Sequence, residues 1–257
     1  MPETCDILNA DVLKNKIKRD IEIIYYPSVD STNTRAKHLI NEGKKNKMLL
    51  VADEQTNGRG RQGKHFFSPA KSGIYMSYVF HPMKNFASTV TVTTAASVAV
   101  CKAIESLTDK KPEIKWVNDV YLGGKKICGI LCEAISDYET GKIKSVIIGI
   151  GINITTADFP EYVENASCLG VNIKRADLIA EVTKELEKIV FCDYNSFIDY
   201  YRAHSMVIGK DVCFTENGVK TNARALAIED DGALVVELEN KERKTLRSGE
   251  ISLGIAR

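Results

Sequence analysis

Gly58-Arg59-Gly60-Arg61-Gln62-Gly63 sets two arginines among three closely spaced glycines. The glycines let backbone N–H groups approach a ligand closely, and each arginine offers a forked donor for carboxylate or phosphate oxygens. The run is neither Gly-Lys-Ser/Thr nor G-x-G-x-x-G, and it precedes a strand rather than opening a helix. The same composition also suits a flexible basic surface loop. From Gln55 to Lys84 no acidic residue occurs, while Arg59, Arg61, Lys64, Lys71 and Lys84 are basic. A basic island in a chain of net charge +1 serves a local anion such as phosphate or carboxylate.

Three further stretches carry chemistry-bearing side chains. Lys115-Trp116-Val117-Asn118-Asp119 ends a strand on an Asn-Asp pair. A carboxylate there suits a metal ion bridging phosphates, and the pair equally suits an Asx-turn closing a hairpin. Lys126 opens an otherwise apolar strand whose period-2 positions are Cys128, Ile130 and Cys132. A lysine on that face needs a counter-charge or a ligand, unless it lies at an edge and points to water. Gly129 inside the strand signals close approach of something bulky. Ile148-Gly149-Ile150-Gly151-Ile152-Asn153 leaves a slot along one strand face, or a seat for a tightly packed helix. Asn153 is placed to cap the strand or to bond a ligand.

The elements that position these residues follow from patterning. A short polar helix is expected over 7–18, a strand over 22–26, and a helix opened by Asp30-Ser31-Thr32-Asn33 that stops near Gly43. Residues 48–52 form a buried strand, 53–73 a long polar loop and 74–80 an aromatic strand. Val92, Ala95, Ala96, Ala99, Val100, Ala103, Ile104 and Leu107 mark one face of a helix capped by Ser88. Strands are expected at 115–117, 126–134 and 146–153, with Gly123-Gly124 turning between two of them. Helices follow at about 176–191 and 195–204. After Gly209 short strands alternate with turns at Asn217-Gly218, Asp231-Gly232 and Asn240-Lys241. The reading is an α+β domain with a mostly antiparallel sheet over 1–207 and a small β-barrel over 208–257.

The chain has 257 residues, 44% hydrophobic and 27% charged, as in ordinary globular proteins. Its seven cysteines form no C-x-x-C pair, so neither a zinc site nor a disulfide framework is indicated. Reduced thiols in a cytoplasmic protein are expected. No apolar run is read as a membrane span, and residues 1–12 lack a signal pattern, so no membrane partner is expected. Too few residues precede the first strand for a helix-turn-helix, and no DNA partner is expected.

Taken together and in this order, the motifs resemble the biotin–protein ligase family. The matching stretches are DSTN (30–33), DEQTNGRGRQGKHFFSP (53–69), SGIYMSYVF (72–80), KWVNDVYLGGKKICGILCE (115–133), VIIGIGINI (146–154) and SGEISLG (248–254). The resemblance implies a class II synthetase-like catalytic domain with a mixed, mostly antiparallel sheet, and an SH3-like C-terminal barrel. It implies ATP and Mg²⁺ as cofactors, and biotin and a biotin carboxyl carrier protein or domain as partners. Biotinyl-5′-AMP would form first, and its acyl group would then pass to a carrier lysine. Lys126, Arg59 and Arg61 would be catalytic. Ser31, Thr32, Asn33, Gln55, Gly58, Arg59 and Gly129 would bind biotin. Arg61, Gly63, Phe66, Asn118, Lys126 and Asn153 would bind ATP or the adenylate, and Asp119 would face the metal. The Arg59–His65 loop would close over the adenylate, and Glu250 would orient the barrel on the catalytic domain. Three positions depart from the family's habit: Phe66 for Trp, Val117 for Pro and Gln62 for a third Arg. Family members pair through the sheet edge, which leaves a homodimer open.

Two other readings compete. A lipoate– or octanoate–protein ligase shares the fold and the acyl-adenylate chemistry. A non-catalytic biotin sensor would bind ligand without releasing pyrophosphate. Nucleic-acid binding is a poor reading, since the basic stretch has no regular helical basic face.

Overall fold

A computed structural model of the chain describes residues 6–82, 88–137, 139–191, 195–216 and 218–254, with the side chains of 190, 191, 195 and 196 excepted. Cys5, Lys84, Cys192 and Asn217 lie outside the described residues. The first part runs α1 (Ala10–Lys16), β1 (Glu22–Tyr26), α2 (Thr32–Asn41), β2 (Met48–Ala52), β3 (Gly73–Phe80), α3 (Thr89–Leu107), β4 (Glu113–Lys115), β5 (Asp119–Leu122), β6 (Lys125–Ser136), β7 (Ile143–Asn153), α4 (Arg175–Phe191) and α5 (Asn195–Ala203). Its seven strands form one sheet in the order β1-β2-β3-β7-β6-β5-β4. Only β1 and β2 run parallel; the remaining pairs are antiparallel.

Alternation along the central strands assigns the two faces. Ile74, Met76, Tyr78 and Phe80 of β3, with Val146, Ile148, Ile150 and Ile152 of β7, join the large core that α3, α4 and α5 complete. On the other face, Val79 and Ile147 pack under Ala36, Leu39 and Ile40 of α2. Farther along that second face the register aligns Ser77 with Gly149 and Leu131. The next row aligns Tyr75, Gly151, Gly129 and Asp119 across four strands. This glycine-rich floor lies just beyond the first turn of α2, where helix cover ends.

Ser88 caps α3 as expected, its side chain accepting from the Thr91 N–H. By length and composition alone α3 is long and apolar enough to cross a membrane, a property that a buried core helix shares. It is instead a core helix, with 72% of its most apolar stretch buried inside the protein. Its polar side chains fit there because Thr93 and Ser97 donate to the carbonyls of Thr89 and Thr93, four residues back.

Two expectations for the strands need correction. The strand expected at 115–117 is β4, which ends at Lys115; Trp116-Val117-Asn118 is the turn of a hairpin in which Lys115 pairs with Asp119. The hairpin alternative therefore describes this stretch, although the Asn118 and Asp119 side-chain oxygens accept from Arg61, Asn118 and Lys126 rather than from the turn's backbone. The short strand β5, read as connection, fills the space to Gly123-Gly124. In β6 the register slips against β5, Val120 facing Cys128 while Tyr121 faces Lys126. The extra residue, Ile127, is fully buried beside Cys128. This bulge turns Lys126 away from the Cys128–Ile130 face and onto the glycine floor.

The second sheet holds β8 (Asp211–Glu216), β9 (Val219–Ile228), β10 (Leu234–Leu238), β11 (Arg243–Leu246) and β12 (Ile251–Leu253), all antiparallel in the order β11-β10-β9-β8-β12. The Asp231-Gly232 turn touches the first part: Trp116 Nε1 donates to the Gly232 carbonyl at 2.9 Å and Thr91 Oγ1 to that of Asp231 at 3.1 Å. Gly232 has φ +86° and its α-carbon faces Thr94, so a side chain there meets both strain and crowding.

Candidate active site

Residues 58–66 form a small hairpin over the glycine floor. The Gly60 N–H donates to the Lys64 carbonyl at 2.7 Å and the Phe66 N–H to that of Gly58 at 2.9 Å. A tight 3-10 turn at Arg61–Gly63 makes the tip. A Cβ on Gly58 would collide with the Phe66 carbonyl and come within 2.7 Å of Ser68 Oγ. The Phe66 ring lies on Gly151, where a Cβ would overlap it, and edge-on to Tyr75 at 6.4 Å between centroids. The glycine slot in β7 is thus occupied by Phe66 at Gly151 and by the Asn33 amide at Gly149.

A first cleft collects Ser31, Thr32, Asn33, Gln55, Arg59, Arg61, Gly129 and Gly151. A hydrogen-bonded chain fixes its polar wall. Gln55 Oε1 accepts from the Thr32 N–H at 2.9 Å and from Thr32 Oγ1 at 3.1 Å, and Gln55 Nε2 donates to Ser68 Oγ at 3.0 Å. Ser31 Oγ caps α2. Ser77 Oγ lies 2.6 Å from Asn33 Oδ1 and 2.7 Å from Thr32 Oγ1, available to donate to either.

Glu133, which motif reading left without a role, is the acidic hub at the edge of this cleft. It accepts from Lys37 Nζ at 2.7 Å and from Asn33 Nδ2 at 2.9 Å. Arg59 reaches it at 3.3 Å, so the guanidinium expected to clamp a ligand carboxylate is paired with Glu133 here. Burial pushes the Glu133 carboxyl up, but the hydrogen bonds from Lys37 and Asn33 and the charges of Lys37 and Arg59 outweigh it, leaving the group below its ordinary value.

A second cleft opens on the far side of Lys126. It is lined by Phe67, Lys115, Asn153, Phe159 and Tyr162 among others. Asn153 is 4% exposed; its Nδ2 donates to the Ser167 carbonyl at 3.0 Å, while its buried Oδ1 has no protein partner. An unpaired buried acceptor beside a cleft favours a ligand that brings a donor. Phe67 and Phe159 meet edge to face at 6.1 Å, an apolar wall suited to a flat ring. Burial pulls the Lys115 ammonium below its ordinary value. Lys64 pairs with Glu250 at 2.6 Å, joining the hairpin to the second sheet.

The two clefts share Lys64, His65, Phe66, Asn118, Asp119, Lys126 and Glu250. At this junction Lys126 Nζ lies 2.7 Å from Asp119 Oδ1, and Arg61 Nη1 donates to Asn118 Oδ1 at 2.9 Å. Asn118 Nδ2 donates to Asp119 Oδ1 at 2.9 Å. Asp119, expected to face a metal, is engaged by Lys126. Among the described residues no three His, Cys, Asp or Glu side chains gather as a metal site. One carboxylate fits a cation carried in on phosphate oxygens better than a resident one. Of the residues singled out in the sequence, Gly63 lines neither cleft; it serves the hairpin tip with φ +74°. Gly58 acts by its lack of a side chain.

A family model described as Biotin/lipoate A/B protein ligase family matches residues 25–153, and one described as Biotin protein ligase C terminal domain matches residues 207–254. Bifunctional ligase/repressor BirA of Bacillus subtilis is 33% identical over 251 residues, 90% of this chain and 74% of that protein. The biotin–[acetyl-CoA-carboxylase] ligase of Mycobacterium tuberculosis is 29% identical over 207 residues, 74% of this chain and 73% of its own. A solved structure, the biotin protein ligase from Aquifex aeolicus in complex with biotin and ATP, matches with a TM-score of 0.76 at 27% identity, covering 91% of this chain and 99% of that one. With both family models matched in order along one chain, and a relative 33% identical over 90% of it, the chain belongs to the biotin–protein ligase family.

Proposed function

We propose that this ligase joins biotin to ATP at Lys126 and passes the biotinyl group to a lysine of a biotin carboxyl carrier protein. The observation that supports it best is the wall common to the two clefts, with Lys126 and Asp119 at the point where a ligand in one would meet a ligand in the other. The first cleft takes biotin, its ureido ring among Ser31, Thr32 and Gln55; the second takes the nucleotide, with adenine donating to Asn153. Residues 1–207 form the biotin- and ATP-binding unit, and 208–257 the SH3-like unit that reaches the reaction through Glu250.

In the first step a biotin carboxylate oxygen attacks the α-phosphorus of ATP. The bond from that phosphorus to the bridging oxygen breaks, and pyrophosphate leaves with the electron pair. Both reactants are anionic, so their approach costs Coulomb repulsion. Lys126, exchanging Asp119 for the incoming oxygens, and Arg59 and Arg61 from the hairpin, offset that cost and stabilise charge developing at phosphorus. Asp119 would help hold Mg²⁺, which would supply further Lewis-acid stabilisation. The hairpin covers the anhydride and keeps water from it. In the second step the neutral ε-amine of the carrier lysine attacks the acyl carbon, the bond to AMP breaks, and the nitrogen loses its proton. Free thiols at Cys101, Cys128, Cys132, Cys168 and Cys213 suit a reducing, cytoplasmic setting.

ATP–pyrophosphate exchange with biotin, lipoate or octanoate, in the presence of Mg²⁺, tests the reading. Exchange with biotin alone is expected. Exchange with lipoate or octanoate instead would move the protein to the sister activity, and biotin binding without exchange would make it a sensor.

A further inference from the structure

The ligand hairpin belongs to a long connection between β2 and β3, and both ends of that connection meet one buried side chain. Arg175, the first residue of α4, is 3% exposed. Its Nη1 donates to Asp53 Oδ1 at 2.6 Å, where the connection leaves β2, and to the Gly73 carbonyl at 3.3 Å, where it enters β3. Asp53 is two residues before Gln55, and Gly73 pairs with Asn153 in the sheet. Three other donors of Arg175 turn to the N-terminal segment. Its Nε donates to Asp6 Oδ2 at 2.5 Å, its backbone N–H to Asp6 Oδ1 at 3.1 Å, and its Nη2 to the Asp6 carbonyl at 3.5 Å.

A guanidinium is planar, so a carboxylate that holds one edge fixes the direction of the other. Without Asp6, Arg175 would keep Asp53 but lose the contact that sets its plane, and a nearly buried cation would be left with one counter-charge instead of two. We infer that Asp6 is a positioning residue for the ligation reaction: through Arg175 it braces both ends of the connection that carries the ligand hairpin, so the N-terminal segment governs how firmly the adenylate is held. The inference rests on the proposed function for the identity of what is held, and on geometry alone for the brace.

The test uses the full chain with Asp6→Ala. Asp6 is partly exposed, so its loss leaves the core packing intact. Lys16→Ala is the control: it removes a different ion pair between the N-terminal segment and α4, Lys16 with Asp177 at 2.5 Å, and leaves Arg175 untouched. Two quantities are read. One is the rate at which preformed biotinyl-5′-AMP escapes; the other is tryptic cleavage at Arg59 and Arg61 in the ligand-free protein. Asp6→Ala is expected to raise both about tenfold, within the range for residues coupled to a site through contacts, and Lys16→Ala to match the parent. If Asp6→Ala matches the parent in either quantity, or Lys16→Ala rises equally, the brace is overturned. Exchange activity of the parent stands as the separate test of the ligase reading, and the cleavage measurement judges the brace even if that reading falls.

Discussion

Lys126 and Asp119 hold each other at 2.7 Å across the β5–β6 bulge, at the boundary of two clefts. The bulge is what brings them together: without the extra residue at Ile127, Lys126 would point to the opposite face, under α3. The pair is self-neutralising, so the ammonium is available to substrate oxygens only as Asp119 yields it. Under the proposed reaction, that exchange would place the cation's contribution in the reacting complex rather than in initial biotin binding.

Lys126→Ala is therefore expected to slow ATP–pyrophosphate exchange by about 10²–10³-fold, the usual loss for one preorganised transition-state donor. Biotin affinity, measured by calorimetry without ATP, should stay within a few-fold. A mutant with near-parent exchange would remove Lys126 from the proposed role.

Arg61→Ala deletes the 2.9 Å bond to Asn118 that ties the hairpin tip to the β4–β5 turn. Biotinyl-5′-AMP should leak from the protein faster, by about 5- to 30-fold if the bond contributes the 1–2 kcal/mol usual for such contacts. Rapid filtration of enzyme loaded with labelled adenylate measures the release. Retention equal to the parent's would show that the tip does not clamp.

Gly151→Ala puts a methyl group where the Phe66 ring lies. The ring must leave the floor, at a cost of about 1–3 kcal/mol for overpacking. Thermal denaturation and biotin titration should both worsen. Gly58→Ala is predicted to be no milder, because the atom it meets first is the backbone carbonyl of Phe66, which cannot rotate aside.

Glu133→Gln separates charge from shape at the hub of Lys37, Asn33 and Arg59. The Glu133 carboxyl sits below its ordinary 4.5 in the folded protein. A carboxylate shifted down adds stability above its unfolded pKa and loses it as pH falls through the lower, folded value. The variant should be less stable than the parent at neutral pH by about 1–3 kcal/mol. The gap should close in acid, below 4.5. Denaturant titrations at both pH values check this; a gap independent of pH would mean that packing, not charge, accounts for the loss.

Local patterns that depend on one segment were legible in the sequence. β1 and β2 fall where alternation and apolar runs put them, Ser88 caps α3, and the alternating glycines of β7 do open a slot. What escaped depends on neighbours. The face of Lys126 was misjudged because strict period-2 counting assumes no bulge, and the bulge is a property of the β5–β6 pairing. β5 was missed because four residues beside a Gly-Gly turn carry little pattern of their own. Glu133 escaped because its partners, Lys37 and Arg59, come from distant segments. Glu250 was expected to join the barrel to the catalytic domain only through the family resemblance; its partner there, Lys64, is equally non-local and was not foreseen.

Helix α3 has a consequence for how the chain is made. Most of its cover comes from β5, β6 and β7 and from α4 and α5, which lie later in the sequence. During synthesis the most apolar helix therefore emerges before the surfaces that bury it. Until β7 and α4 have followed, the nascent chain presents a span-length apolar segment to chaperones and to the membrane-insertion apparatus alike. Its hydroxyl-rich first turns, Thr89 to Thr94, lower its mean hydropathy and so work against mis-sorting while the rest of the sheet is still being translated.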